Sequence, residues 1–137
     1  MIEYIINNSF GCKVYQTNQE IQIKASNLSV IKQICIDHFF TYEGYLKAVQ
    51  ARFGKQYKIP LYIQEDLIFI PTKRVRDYEN VWVNFASVTN VIEVNSAVMF
   101  EFESKKKMII DISMKTLRKQ IKHLEVIHNV KVKHFHF

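Results

Sequence analysis

The chain has 137 residues, 48% of them hydrophobic and 13% aromatic, with three glycines and two prolines, a composition typical of one folded domain and not of a disordered segment. No run approaches the ~18 apolar residues that cross a membrane, and the N-terminus lacks the features of a secretory signal. The formal net charge of +6 favours an anionic partner. From the length and the lack of membrane and export signals, the sequence predicts one cytoplasmic domain over residues 1–137, without a membrane-bound part.

Alternating apolar and polar residues dominate the beginning of the chain. The runs EYIINNS, CKVYQT and EIQIKAS have the period of two that predicts β-strands, and turn-prone residues separate them. The next run, SVIKQICI, alternates less cleanly and is interpreted as a fourth strand. We expect a meander or paired hairpins with one solvent-exposed face. Cys12 and Cys35 have no motif spacing and are predicted to be reduced thiols in the core.

The apolar period changes to three or four residues in TYEGYLKAVQARFG. This spacing predicts one short helix in the middle of the chain. Thr41 is suited to cap its N-terminus, and Gly54 is suited to end it.

Strand-like runs return after this helix, in IPLYIQ, LIFI, VWVNFASV, VIEVN, VMFEFES and MIIDIS. Between LIFI and VWVNFASV the chain inserts Pro71, Thr72 and then three cations, Lys73, Arg74 and Arg76. The proline is explained by a turn, but the cations are not. A second polar turn, residues 104–107, carries three consecutive lysines that also protect a hairpin edge from mispairing.

The last predicted element is an amphipathic helix in SMKTLRKQIKHLEVIH. Ser113 offers an N-cap, and Leu117, Ile121, Leu124 and His128 fall on one stripe at 100° per residue. The opposite side is basic. Together these elements predict an α+β fold: an antiparallel, β-rich single domain of about eight to ten short strands, with one central short helix and one C-terminal amphipathic helix.

Signals for catalysis or metal binding are nearly absent from the sequence. There is no glycine-rich phosphate loop, no nucleophile elbow and no Cys-x-x-Cys pair, and the carboxylates are scattered singly. Four histidines fall near the C-terminus, where His134 and His136 would share one face of a strand, but no neighbouring carboxylate or cysteine completes a site with them. We therefore expect a protein that is not an enzyme and has no metal or cofactor.

The basic residues form three groups on different elements. Residues 101–137 hold nine Lys and Arg against four Asp and Glu, whereas residues 1–100 hold ten against nine. Cations that neutralise several phosphates release condensed counterions, and loop arginines can enter the narrow minor groove of A/T-rich DNA. A solvated basic surface without a partner is the alternative for each group taken alone. The candidate DNA contacts are Lys73, Arg74 and Arg76 in the loop, Lys106 and Lys107 on the hairpin, and Lys115, Arg118, Lys119 and Lys122 on the helix.

Several short motifs occur in an order that resembles a known family. A cysteine precedes a Tyr-x-Gly segment and a helix, and a strand beginning with Pro, a Pro-Thr turn and a tryptophan follow; the residues are Cys35, Tyr42, Gly44, Pro60, Pro71, Thr72 and Trp82. With these, residues 26–85 resemble the ComK family of bacterial competence transcription factors, and MFEFESKKKMIIDISMKTLRKQIKHLEV resembles its hairpin and basic helix. Four positions depart from the family pattern. Tyr45 replaces an arginine, and Ile70 replaces a phenylalanine. Arg74 replaces a usual serine, and Asn80 replaces a frequent cysteine.

The resemblance implies a DNA-binding activator of DNA-uptake genes. It implies a homo-oligomer, a dimer or more, on paired A/T-rich boxes of double-stranded DNA with minor-groove contacts, and no small-molecule substrate. Pro71 and Thr72 would then shape the turn while the loop cations meet the DNA. Trp82 is expected to be a core anchor beneath the loop.

Two other interpretations stay open at the level of sequence. One is a non-catalytic protein-interaction module whose sheet edges recruit a partner strand and whose basic end touches anionic lipid. The other is a truncated relative that modulates a longer regulator, an interpretation favoured by Tyr45 in place of the family's arginine.

Overall fold

The computed structural model describes residues 1–135, with side chains described as far as residue 129. Within these residues the chain forms nine strands and three α-helices, which confirms the predicted α+β class. In chain order the elements are β1 (Ile2–Asn8), β2 (Gly11–Gln16), β3 (Glu20–Ile23), α1 (Asn27–Asp37), α2 (Tyr42–Phe53), β4 (Leu61–Gln64), β5 (Leu67–Pro71), β6 (Trp82–Asn84), a 3-10 helix (Phe85–Ser87), β7 (Val88–Val94), β8 (Ala97–Phe102), β9 (Lys107–Ile110) and α3 (Met114–Phe135).

The prediction of a strand in SVIKQICI is wrong, because this run lies in α1. The Oγ atom of Ser26 caps the helix by accepting a hydrogen bond from the N–H of Ser29 at 3.2 Å. Ile31 and Cys35, four residues apart, are then buried on one face. A short apolar run fits both periods, so its period alone did not decide between them. Two helices therefore stand at the centre of the chain, where one was predicted.

The predicted central helix is confirmed as α2, together with both of its ends. The Thr41 Oγ1 atom accepts a hydrogen bond from the N–H of Gly44 at 3.0 Å, and Gly54 ends the helix with φ 81°, a left-handed conformation that glycine adopts at little cost. Tyr45 is buried, and its hydroxyl donates to the carbonyl of Pro60 and accepts from the N–H of Tyr62, both at 3.0 Å. The side chain that replaces the family's arginine therefore fastens α2 to β4.

The strands form two antiparallel sheets. The large sheet has the order β3-β2-β1-β6-β5-β4, and the small sheet has the order β7-β8-β9. Successive residues of the large sheet face opposite sides: Phe69 and Trp82 face α1 and α2, whereas Ile70 and Val83 face the small sheet and the beginning of α3. The large sheet is thus a middle layer with one core on its helix side and another on its small-sheet side.

The last helix, α3, confirms the predicted amphipathic pattern and extends it. The Oγ atom of Ser113 accepts a hydrogen bond from the N–H of Thr116 at 3.1 Å, and Leu117 and Leu124 are buried on the apolar face. The helix continues to Phe135, so His134 lies in helical backbone and not in the predicted strand, while His136 lies outside the described residues.

The two ends of β1 give reference points for the site. At its C-terminal end, the Asn7 amide donates to the carbonyl of Tyr78, in the loop between β5 and β6. At its N-terminal end, the buried Glu3 carboxylate accepts from the N–H and the hydroxyl of Ser104, in the turn between β8 and β9. Asn7 and Glu3 are four residues apart on β1, a separation of about 13 Å. This length separates the two basic turns.

Candidate nucleic-acid interface

The loop between β5 and β6, residues 72–81, is closed at its base by a buried asparagine. The Oδ1 atom of Asn80 accepts hydrogen bonds from the N–H groups of Thr72 and Lys73, both at 2.9 Å. The Thr72 hydroxyl donates to the carbonyl of Val81 at 3.1 Å and accepts from its N–H at 3.0 Å. Asn80 and Thr72 are both buried, so the base of this loop has a defined conformation.

Further hydrogen bonds order the rest of the loop. The Asp77 N–H donates to the carbonyl of Arg74 at 2.9 Å, and the Asn80 N–H donates to the carbonyl of Asp77 at 3.0 Å. The amide of Asn27, at the beginning of α1, donates to the Asn80 carbonyl at 2.7 Å. Trp82 is fully buried below, edge-on to the Tyr42 ring at 6.1 Å, which confirms it as a core anchor. The loop therefore holds its cations on a supported backbone.

Arg74 and Arg76 line a cleft of about 870 Å³ on the helix side of the large sheet. Among the described residues neither guanidinium makes a hydrogen bond or an ion pair. Lys32 on α1 and Lys58 before β4 bring further positive charge to the same lining. The cleft also takes in parts of α2 and of the segment that follows it, so the cleft is assembled from distant parts of the chain.

One carboxylate partly balances this charge. Lys32 Nζ lies 2.8 Å from Glu43 Oε1, and this hydrogen bond holds the pKa of Glu43 below its ordinary value, with a smaller contribution from the charge of Arg76. Burial raises the pKa of the neighbouring Tyr42 to about 12, although Arg76 opposes the shift. Tyr42 is therefore neutral at physiological pH. Among the described residues, Arg74, Arg76 and Lys58 form no ion pair.

Lys73 extends toward the other side of the loop, to the segment before α3. Its Nζ lies 3.7 Å from Asp111 Oδ2. Deeper in the structure, the buried Gln120 of α3 donates from Nε2 to the carbonyl of Pro71 at 2.8 Å and to the carbonyl of Lys58 at 3.3 Å. One amide thus joins α3 to Lys58, in the cleft lining, and to Pro71, at the end of β5. The predicted cations of α3 are all exposed: Lys115, Arg118, Lys119 and Lys122.

The hairpin lysines lie elsewhere. Lys106 Nζ is 5.0 Å from the centroid of the Tyr15 ring, on the small-sheet side of the large sheet, and Lys107 Nζ is 3.9 Å from Glu101 Oε2. The turn that carries them is fixed to Glu3, at the opposite end of β1 from the loop of residues 72–81. The structure brings Lys73 to the segment before α3, places Arg74 and Arg76 in the cleft, and keeps the hairpin lysines apart from all three. The assignment of all nine cations to DNA stays a prediction.

Sequence reasoning missed four residues of this region: Lys32, Tyr57, Lys58 and Gln120. Lys32 was lost with α1, because a strand assignment does not place it opposite Glu43. Tyr57 and Lys58 lie in an irregular segment, and Lys58 has φ 50°. For Gln120, a polar residue on the apolar side of the predicted helix was the available signal.

The described residues contain no cluster of three or more His, Cys, Asp or Glu side chains that could hold a metal ion. Over the same part of the chain, none of the helices has the length and apolar character needed to cross a membrane.

Comparison with known proteins gives one match. A family model described as ComK protein matches residues 1–132. The comparisons with curated proteins and with solved structures return no match. The family match covers nearly the whole chain, including β1 to β3, where the sequence motifs gave no indication.

Proposed function

The chain belongs to the ComK family of competence transcription factors, which is not a family of enzymes, and we propose that it regulates competence genes in the cytoplasm by binding double-stranded DNA. The observation that carries the proposal is the pair Arg74 and Arg76. Both side chains belong to a hydrogen-bonded loop, and neither forms an ion pair with an acidic partner among the described residues, although the charge of Arg76 helps to lower the pKa of Glu43. Guanidinium groups without such partners are available to phosphate oxygens and to the minor groove.

The loop and the first half of α3 are proposed to bind one duplex together. The Lys73–Asp111 ion pair joins the loop to the segment that precedes the helix. Because the loop backbone is already ordered, little conformational entropy is lost when its arginines bind. Arginine in a narrow minor groove favours A/T-rich sequence, and the cations along α3 neutralise phosphates without reading bases.

The hairpin lysines, Lys106 and Lys107, are proposed to make a separate phosphate contact. Their position at the other end of β1 suits a homo-oligomer on paired A/T-rich boxes, in which one chain's hairpin lies near DNA held by a neighbouring copy. In this arrangement the loop selects A/T-rich sequence, and the hairpin adds affinity that does not depend on sequence.

The test is fluorescence anisotropy with A/T-rich and G/C-rich duplexes of equal length, titrated over salt. We expect the A/T-rich duplex to bind more tightly, and we expect log K to fall linearly with log salt with a slope of several units. The double variant Arg74→Ala/Arg76→Ala should bind at least about tenfold more weakly and lose about two units of slope. Arg52→Ala is the matched control, because Arg52 is exposed on α2 and lies outside the cleft lining.

Two results would count against the proposal in different ways. Equal and weak binding of both duplexes at low salt would refute DNA recognition by this chain. Unchanged affinity of the folded double variant, with sequence preference retained, would leave the function standing and remove the two arginines from the interface.

A further inference from the structure

The cleft beneath Arg74 and Arg76 has the size of a site for a small molecule. Its volume of about 870 Å³ falls within the ~300–1,000 Å³ typical of ligand pockets. A DNA duplex is a convex rod that is too wide to enter a cleft of this size, so duplex contacts to the two arginines would leave the cleft itself unfilled. The interior of the cleft is therefore left without an occupant by the proposed DNA interface.

The charges in the lining select a phosphorylated ligand. Arg74, Arg76 and Lys58 carry positive charge, and the one carboxylate among the described lining residues, Glu43, is already paired with Lys32. Phosphates are the anions that arginine forks bind best. With several free cations, the cleft matches a ligand that carries two or more phosphates better than a ligand that carries a single carboxylate.

A ring-bearing ligand is indicated by the rest of the lining. Tyr57 is 79% exposed although its ring belongs to the cleft, and Leu28, Leu46 and Val75 add apolar surface. Lys55 Nζ lies over the ring, 5.7 Å from its centroid, and the opposite face of the ring offers a stacking surface for a planar base. In the part of the chain described, the buried hydroxyl of Tyr42 also has no hydrogen-bond partner, and a ligand oxygen drawn to Arg76 brings an acceptor to its neighbourhood.

Hydrogen bonds from one side chain of α3 support the cleft lining and the end of β5, where the loop begins. Gln120 Nε2 donates to the carbonyl of Lys58, in the lining, and to the carbonyl of Pro71, the last residue of β5 before the loop. Lys58 itself has φ 50°, an uncommon conformation for a residue with a side chain. A braced cleft with a strained lining residue is typical of a preformed ligand site.

We propose that this cleft binds a nucleotide with two or more phosphates, with the phosphates at Arg74 and Arg76 and the base on Tyr57. A bound nucleotide then occupies the same arginines as the duplex, so it lowers DNA affinity. This second, regulatory part rests on the proposed DNA-binding function. The binding site itself does not.

The direct test is isothermal titration calorimetry of the full chain with ATP, adenosine and tripolyphosphate at constant ionic strength. We expect one ATP per chain, and adenosine bound at least about tenfold more weakly because it lacks phosphates. Arg74→Ala/Arg76→Ala should weaken ATP at least about tenfold. Tyr57→Ala should weaken ATP about fivefold or more and leave tripolyphosphate unchanged, because it removes only the base contact. Arg52→Ala is the control and should change neither.

The site is refuted if ATP gives no binding, or if adenosine binds as tightly as ATP. It is equally refuted if the arginine variant binds ATP like the original chain, or if Tyr57→Ala affects both ligands alike. Competition is measured by adding ATP to the DNA anisotropy assay against sodium chloride of equal ionic strength. ATP binding without any DNA binding would refute the proposed function and keep the site, and simultaneous binding of both without competition would refute the regulatory part.

Discussion

Replacement of Asn80 by alanine tests whether the loop of residues 72–81 is the supported platform described above. The side chain touches neither DNA nor nucleotide in our proposals. It is fully buried, and its Oδ1 atom is the acceptor for two backbone N–H groups, those of Thr72 and Lys73. Asn80→Ala removes this acceptor and leaves the loop sequence and its cations unchanged.

The expected loss of stability depends on which hydrogen-bond acceptor remains for each of the two N–H groups. The Thr72 N–H keeps the carbonyl of Val81 at 3.2 Å, so its loss is one hydrogen bond, about 1 kcal/mol. The Lys73 N–H is left without an acceptor in a part-buried position, which costs about 1–2 kcal/mol. The Asn80 Nδ2 group has no partner among the described residues, and its removal offsets a small part. The expected net change in the free energy of unfolding is a loss of about 2 kcal/mol.

Urea denaturation followed by circular dichroism measures this change, with Asn18→Ala as the matched control. Asn18 is exposed in the turn before β3, and its replacement should alter stability by less than about 0.5 kcal/mol. DNA affinity of Asn80→Ala, measured where the variant is fully folded, should fall as well, because the loop arginines lose their ordered backbone. If Asn80→Ala matched the control in both stability and DNA affinity, the loop would not depend on this hydrogen bonding, and the platform argument would be wrong.

Two further predictions concern Gly11 of β2 and the two buried cysteines. Gly11→Ala should lower the free energy of unfolding by about 3 kcal/mol or more. The reason is that Gly11 has φ 135° and that an added Cβ would lie 2.1 Å from the carbonyl oxygen of Ile23. Thermal unfolding measures the loss, and a Gly11→Ala variant as stable as the control Ser9→Ala would contradict the prediction. Burial raises the pKa of Cys35 to about 11 and also raises the pKa of Cys12, so both thiols are protonated at pH 8. Both are also buried. Ellman's reagent should therefore react with neither thiol in the folded chain and with both after unfolding in guanidinium. Rapid reaction of either thiol in the folded chain would show that the core opens there.

The elements predicted correctly from the sequence are those whose signals are local. Thr41 and Gly54 bound α2 through contacts within one turn, and Ser113 does the same for α3. In α1 the local signals conflicted: Ser26 was available as a cap, but the apolar run also fitted a strand. What decided the outcome was the packing of Ile31 and Cys35 against the large sheet. Such long-range contacts are not visible in the period of a single segment.

In the candidate site, too, the features that are local in sequence could be predicted and those that depend on long-range contacts could not. Lys73, Arg74 and Arg76 are neighbours in sequence, so their grouping could be predicted. The cleft could not be, because Gln120 binds the carbonyl of a residue 49 positions earlier. Side chains that meet across such distances depend on how the layers stack. The basic residues were therefore identified as a set, but the sequence did not show which of them lie together.

The positions of the two basic turns restrict how one chain can hold DNA. Arg74 and Arg76 lie on the helix side of the large sheet, at the C-terminal end of β1, whereas Lys106 lies on the small-sheet side at the other end. A straight duplex pressed against one of these surfaces leaves the other facing away from it. If both turns bind DNA, they therefore bind different stretches of duplex or the duplex held by a neighbouring copy. The second of these alternatives is the oligomeric arrangement proposed above, in which a loop and a hairpin from neighbouring copies meet one DNA molecule.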